Sequence, residues 1–78
     1  MNWRDYITTD SKILNGKPII KSTRISVELI LELFALGWTY EMIFESYPQL
    51  SIEQIRSVFL FLKENLETDR YFSFAKTA

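Results

Sequence analysis

The chain has 78 residues, with 9 Lys and Arg against 10 Asp and Glu, a net charge of −1, and 47% apolar residues. It has no cysteine and no histidine, which excludes disulfides, thiol nucleophiles, thiolate or imidazole metal sites and any Ser-His-Asp triad. A chain this short is one small domain at most, burying roughly 60% of the surface its unfolded form exposes.

The opening "MNWRDYITTD" is polar and charged, unlike a secretory signal. No apolar run approaches the roughly 18 residues needed to cross a bilayer, so no membrane contact is expected and a cytoplasmic location is. Six Phe, four Tyr and two Trp are more aromatic surface than a small interior hides, which points to a second copy or a protein partner.

"KILNGKPII" reads as a β-hairpin. Ile13 and Leu14 precede Asn15-Gly16, a pair that tolerates the positive φ angles of a type I′ turn. Pro18 has no N–H to give a ladder, so the returning strand is expected at an edge. The preceding "YITTD" is a further candidate for extended chain.

Three helices are expected next, with N-caps at Ser26, Thr39 and Ser51. Each cap is bracketed by a hydrophobic staple: Ile25 with Ile30, Trp38 with Ile43, and Leu50 with Ile55. Gln54 lies three residues after Ser51 and completes a capping box. The first helix is expected over about 27–36, with Val27, Ile30, Leu31 and Phe34 on one face, Leu29, Leu33 and Leu36 broadening it, and Gly37 as its left-handed stop. The second is expected over about 40–47, burying Tyr40, Ile43, Phe44 and Tyr47 and ended by Pro48. The third is expected to run to about Thr68, with Ile52, Ile55, Phe59, Leu62 and Leu66 on one face. The chain thus divides into an N-terminal extended segment and hairpin (1–25), a three-helix core (26–68) and an aromatic tail (69–78).

A short helix, a break at "PQL" and a longer capped helix make a helix-turn-helix candidate. In DNA-binding versions the start of the second helix faces base edges, here Glu53, Gln54, Arg56 and Ser57. Gln54 is suited to adenine and Arg56 to guanine, although Gln54 also has a capping role. The candidate phosphate contacts are Lys17, Lys21, Thr23 and Arg24, in a stretch without acids. Two other roles compete for these residues. The basic stretch and the acidic helices that follow can neutralise one another, and Arg24 is placed to pair with Glu28 four residues on. No constellation marks a catalytic centre or a carboxylate-only magnesium site, and neither enzyme activity nor a cofactor is expected.

The run "NGKPIIKSTRISVELILELFALGWTYEMIFESYPQLSIEQIRSVFLF" resembles the domain-of-unknown-function family 433. Gly16, Lys17, Pro18, Thr23, Arg24, Ile25, Gly37, Tyr47, Pro48 and Leu50 stand where that family's pattern has them. Ser22 departs from it, replacing a glycine before Thr-Arg. If that position has positive φ, serine there is strained by roughly 1 kcal/mol.

The resemblance implies a mainly α, homeodomain-like helix-turn-helix fold, usually dimeric. It also implies an antitoxin that neutralises a PIN-like ribonuclease toxin and binds its own operator DNA, regulating transcription. Arg70, Tyr71, Phe72 and Phe74 are the expected toxin contacts, by the composition of the tail. The alternatives are a stand-alone DNA-binding regulator and a protein-interaction module without DNA contact.

Overall fold

The three helix starts follow from three hydroxyls. The first turn of a helix leaves backbone N–H groups without intrahelical partners. In the computed structural model, which describes residues 1–68, Ser26 Oγ accepts from Leu29 N at 2.9 Å, Thr39 Oγ1 from Met42 N at 3.2 Å and Ser51 Oγ from Gln54 N at 3.2 Å. Gln54 Oε1 in turn accepts from Ser51 N at 2.7 Å, closing the expected capping box. The helices are α1 (Val27–Ala35), α2 (Tyr40–Ser46) and α3 (Ile52–Glu67), each within two residues of the expected bounds.

Gly37 ends α1 at φ +94°, with Gly37 N donating to Phe34 O and Trp38 N to Leu33 O, both at 3.0 Å. This pair of bonds satisfies carbonyls that the helix end would otherwise orphan. Only the left-handed backbone demands glycine here, since an added Cβ would meet nothing within 4 Å.

The N-terminal segment forms a two-stranded antiparallel hairpin whose returning strand is the expected one, but whose first strand comes from the earlier extended candidate and not from Ile13-Leu14. β1 is Ile7–Thr8 and β2 is Ile19–Ile20, in the register Ile7 opposite Ile20 and Thr8 opposite Ile19. Ile13 and Leu14 do not pair, and Asn15-Gly16 is not a two-residue link between strands. Leu14, Asn15 and Gly16 instead have φ of 49°, 57° and 80°, winding a left-handed turn inside the long connection. Burial explains the choice. Ile7 and Ile20 are buried whereas Leu14 is exposed, and register follows the pairing that places the apolar side chains inward. Pro18 sits just before β2, where its missing N–H is harmless, and its carbonyl accepts from Val27 N at 3.0 Å.

The hairpin and all three helices share one core, with Ile20, Ile30, Ile43, Ile55 and Val58 at 0% exposure. Every staple residue lies in this cluster or, for Trp38, packs against it. The buried faces differ in detail from the expected stripes. In α1 the buried residues are Val27, Ile30 and Leu33, with Leu31 and Phe34 half-buried. In α2 Ile43 alone is buried, and Tyr40 is exposed. In α3 the buried residues are Ile55, Ser57 and Val58, while Ile52, Phe59 and Leu66 are exposed. Two stripes of correct helical period share Ile55 and Leu62 on α3, and period alone does not say which of them the neighbouring elements cover.

No described helix is long and apolar enough to cross a membrane.

Candidate nucleic-acid interface

The tetrapeptide Lys21-Ser22-Thr23-Arg24 is a tight turn held from both ends. Ile20 N donates to Ile25 O at 2.9 Å and Thr23 N to Ile20 O at 3.1 Å, and Ile19 bridges to Ser26 beyond them. Lys21 N donates to Tyr6 O at 2.8 Å, which fastens the turn to the hairpin. The turn reverses the chain through Ser22, whose φ is 64°. This is the left-handed conformation that glycine adopts freely and serine does not.

Thr23 carries the turn. Its Oγ1 donates to Ile20 O at 2.7 Å and accepts from Ile25 N at 3.0 Å, and the side chain is half-buried. A hydroxyl committed twice to its own backbone has little capacity left for a phosphate, so Thr23 positions its neighbours. Lys21 and Arg24 flank it, both exposed, and no described acid lies within ion-pairing distance of either.

Lys17 stands apart from them. Its ammonium pairs with Glu28 Oε1 at 3.0 Å, with both side chains more than half exposed. Glu28 therefore serves Lys17, not Arg24 as the four-residue spacing invited. Such an exposed pair is worth about 0–1 kcal/mol and is readily exchanged for a phosphate.

At the start of α3, Gln54 is engaged through its side-chain oxygen in the capping box. Arg56 is exposed, and no described acid pairs with it. Ser57, expected at the surface, is fully buried and donates to Gln54 O at 2.6 Å, so it faces no ligand. The six candidate contacts do not gather into one recess. Thr23 and Arg24 line a hollow with Thr8, Asp10, Ile13, Ile19 and Ser22, whereas Arg56 lines another with Met1, Phe59, Leu60 and Lys63. Arg70, Tyr71, Phe72 and Phe74 lie outside the described residues.

Two arrangements have no local signature in the sequence. Trp3, Arg4 and Glu64 form a clasp between the N-terminus and the last turns of α3, with Arg4 Nη2 at 3.3 Å from Glu64 Oε2. Phe34, Tyr40, Phe44 and Phe59 form an aromatic row across the three helices, with ring centroids 5.2–6.3 Å apart. The number of aromatics was visible in the sequence, but not which helices would bring them together. Among the described residues, no three Asp or Glu side chains cluster as metal ligands.

Comparison with known proteins places these features in a wider set. A family described as "Protein of unknown function (DUF433)" matches residues 7–61. The uncharacterised protein y4eO of Sinorhizobium fredii is 31% identical over 62 residues, covering 80% of this chain and 28% of the relative. A crystal structure of a DUF433 member from Anabaena variabilis superposes with a TM-score of 0.75 at 22% identity, over 83% of this chain and 64% of the other. The chain thus spans less than two thirds of each of these two proteins, and the structural likeness concerns the fold.

Proposed function

The chain belongs to the DUF433 family of proteins of unknown function, and from that premise we propose that it is the antitoxin subunit of a toxin–antitoxin pair. In this reading it is a non-enzymatic, cytoplasmic homodimer. It neutralises a PIN-like ribonuclease toxin and binds its own operator DNA, repressing transcription.

The observation that carries the DNA half is the turn at residues 21–24. It presents Lys21 and Arg24 with no described ion-pair partner, on a backbone fixed by five hydrogen bonds. Cations held on a rigid turn meet phosphates without the ordering cost that a flexible arm pays, and phosphate contacts set register on the duplex. Arg56, exposed near the start of α3, is the candidate base reader. The order of a short α2, a break at residues 47–51 and a longer α3, which is that of a helix-turn-helix, supports that role. The toxin half rests on the composition of residues 70–74, where Arg70 is suited to an acidic, magnesium-binding active site and Tyr71, Phe72 and Phe74 are apolar anchors.

One observation favours a second reading. Arg4, Lys17 and Lys63 are each paired with a glutamate, and the net charge is −1, so a single copy offers DNA few cations. A protein-interaction module without DNA contact accounts for that economy. The two readings separate on expression of the tagged chain together with its neighbouring genes. A co-purifying small ribonuclease, and a complex that retards operator DNA with steep salt dependence, support the antitoxin. Co-purification without DNA binding at any salt concentration supports the interaction module.

A further inference from the structure

The connection between β1 and β2 holds a dipeptide with chemistry of its own. Asparagine is a thermolabile residue, and a following glycine has no Cβ to shield its backbone nitrogen from the asparagine side chain. In Asn15-Gly16 the Gly16 nitrogen can attack Asn15 Cγ. The new C–N bond closes a cyclic imide, and Nδ2 leaves as ammonia, carrying the Gly16 proton. Solvent water then opens the ring at either carbonyl, leaving aspartate or isoaspartate and one new negative charge.

The folded turn withholds the nucleophile. Gly16 N donates to Ile13 O at 3.0 Å, and Asn15, at φ 57° and ψ 31°, turns that nitrogen away from its own side chain. Ring closure needs the bond broken and ψ rotated. Asn15 is exposed, and among the described hydrogen bonds none engages its side-chain amide. The amide and the water are therefore at hand, and the backbone alone is the gate.

That gate is strained. Leu14 is held at φ 49°, a left-handed conformation that its Cβ disfavours. None of Leu14, Asn15 and Gly16 is buried, and Leu14 is 46% exposed, so no core contact offsets the strain. Two backbone bonds close the turn, Gly16 N to Ile13 O and Lys17 N to Leu14 O at 3.2 Å. A strained segment without a buried anchor opens by itself while the rest of the fold stays closed.

We infer that Asn15 is a site of spontaneous deamidation in the native chain, gated by local opening of this left-handed turn and set in rate by the strain at Leu14. The product places an acid in Ser11–Val27, a stretch that holds Lys12, Lys17, Lys21 and Arg24 and no acid. Deamidation thus weakens the positive field of the basic segment.

The test compares the full chain held folded in mildly alkaline buffer with the same chain in concentrated urea. Mass spectrometry of the tryptic peptide Ile13–Lys21, in which Pro18 blocks cleavage after Lys17, reads aspartate and isoaspartate at position 15 over time. Conversion is expected in both, slower in the folded chain by about tenfold. Leu14→Gly relieves the strain and should raise that protection about fivefold; Leu14→Val, being β-branched, should lower it by a similar factor. Each variant is referred to its own rate in urea, which removes any direct effect on the chemistry, and circular dichroism checks folding. Ser22→Gly stabilises the whole fold and not this turn, so the folded-state rate should not change. A folded chain without conversion while the urea sample converts fully overturns the site. Equal rates in the two conditions, or protection indifferent to both Leu14 substitutions, overturn the gate. A rate that falls with Ser22→Gly assigns the exposure to global unfolding and overturns the gate as well.

Discussion

The indole N–H of Trp3 donates to Oε2 of Glu64, sixty-one residues further along the chain. The same indole ring stands edge-on to Phe61 at 4.8 Å and carries the Arg4 guanidinium 4.4 Å above its centroid. One side chain therefore joins the N-terminal turn to α3 by a hydrogen bond and an aromatic contact, and holds Arg4 beside it by a cation–π contact.

The clasp predicts a graded response. Trp3→Ala loses all three contacts and should destabilise the fold by about 1–3 kcal/mol, less than a fully buried tryptophan because Trp3 is only partly covered. Trp3→Phe keeps the ring and loses the donor, for about 1 kcal/mol. Glu64→Gln keeps an acceptor and loses only an exposed ion pair, so it should change stability by less than about 1 kcal/mol. Urea denaturation of the three variants orders them; equal midpoints for Trp3→Ala and the unaltered chain would count against the clasp.

Ser22 predicts a stabilising substitution. With φ at 64°, serine occupies a conformation that its Cβ disfavours, and Ser22→Gly should gain about 1 kcal/mol. In a chain of this size that is a rise of about 4–8 °C in the thermal midpoint. Ser22→Val should lose stability, since a β-branched side chain tolerates this backbone least.

Thr23 separates structure from DNA contact. Thr23→Val keeps the shape and removes the hydroxyl that joins Ile20 O to Ile25 N, so it should cost about 1–3 kcal/mol in chemical denaturation. Thr23→Ser should retain most of that stability. In DNA-binding measurements on still-folded protein, the salt slope of the serine variant should match the unaltered chain, because a positioning residue neutralises no phosphate.

Lys21→Glu with Arg24→Glu makes the opposite pattern. Both side chains are exposed and have no described ion-pair partner, so stability should change by less than about 0.5 kcal/mol. Operator binding should be lost. Neutral replacement of the same two residues should flatten the slope of log affinity against log salt by about 0.9 for each phosphate contact removed. Unchanged binding would assign the turn to structure alone.

Deleting residues 69–78 is expected to abolish neutralisation of a co-expressed toxin and to leave DNA retardation by the antitoxin chain intact. Toxin neutralisation by the shortened chain would remove Arg70, Tyr71, Phe72 and Phe74 from the toxin interface. Gln54→Ala addresses the other end of the proposed function: it should cost about 0.5–1 kcal/mol through the lost capping-box bond, whatever its effect on operator choice.

The helix bounds were legible because their causes are local. Ser26, Thr39 and Ser51 each act on an N–H three residues away, and Gly37 acts on the carbonyls just before it. The strain at Ser22 was legible for the same reason, as a departure from a glycine position that proved to have positive φ. The candidate site was legible as a set of residue types but not as a geometry. Thr23 stood among the proposed DNA contacts, yet its hydroxyl is spent within the turn, and Glu28 took Lys17 as its partner in preference to the nearer Arg24.

By itself, then, the sequence determined the three helices and their caps, since each depends on interactions within about four residues of one another. Only the tertiary structure decided that Ile7 pairs with Ile20 across a long connection, that Val58 and not Phe59 enters the core, and that Trp3 reaches Glu64. Those outcomes depend on which apolar surfaces the assembled elements cover together. Hydrophobic burial is non-directional, and several local patterns satisfy it equally until the elements meet.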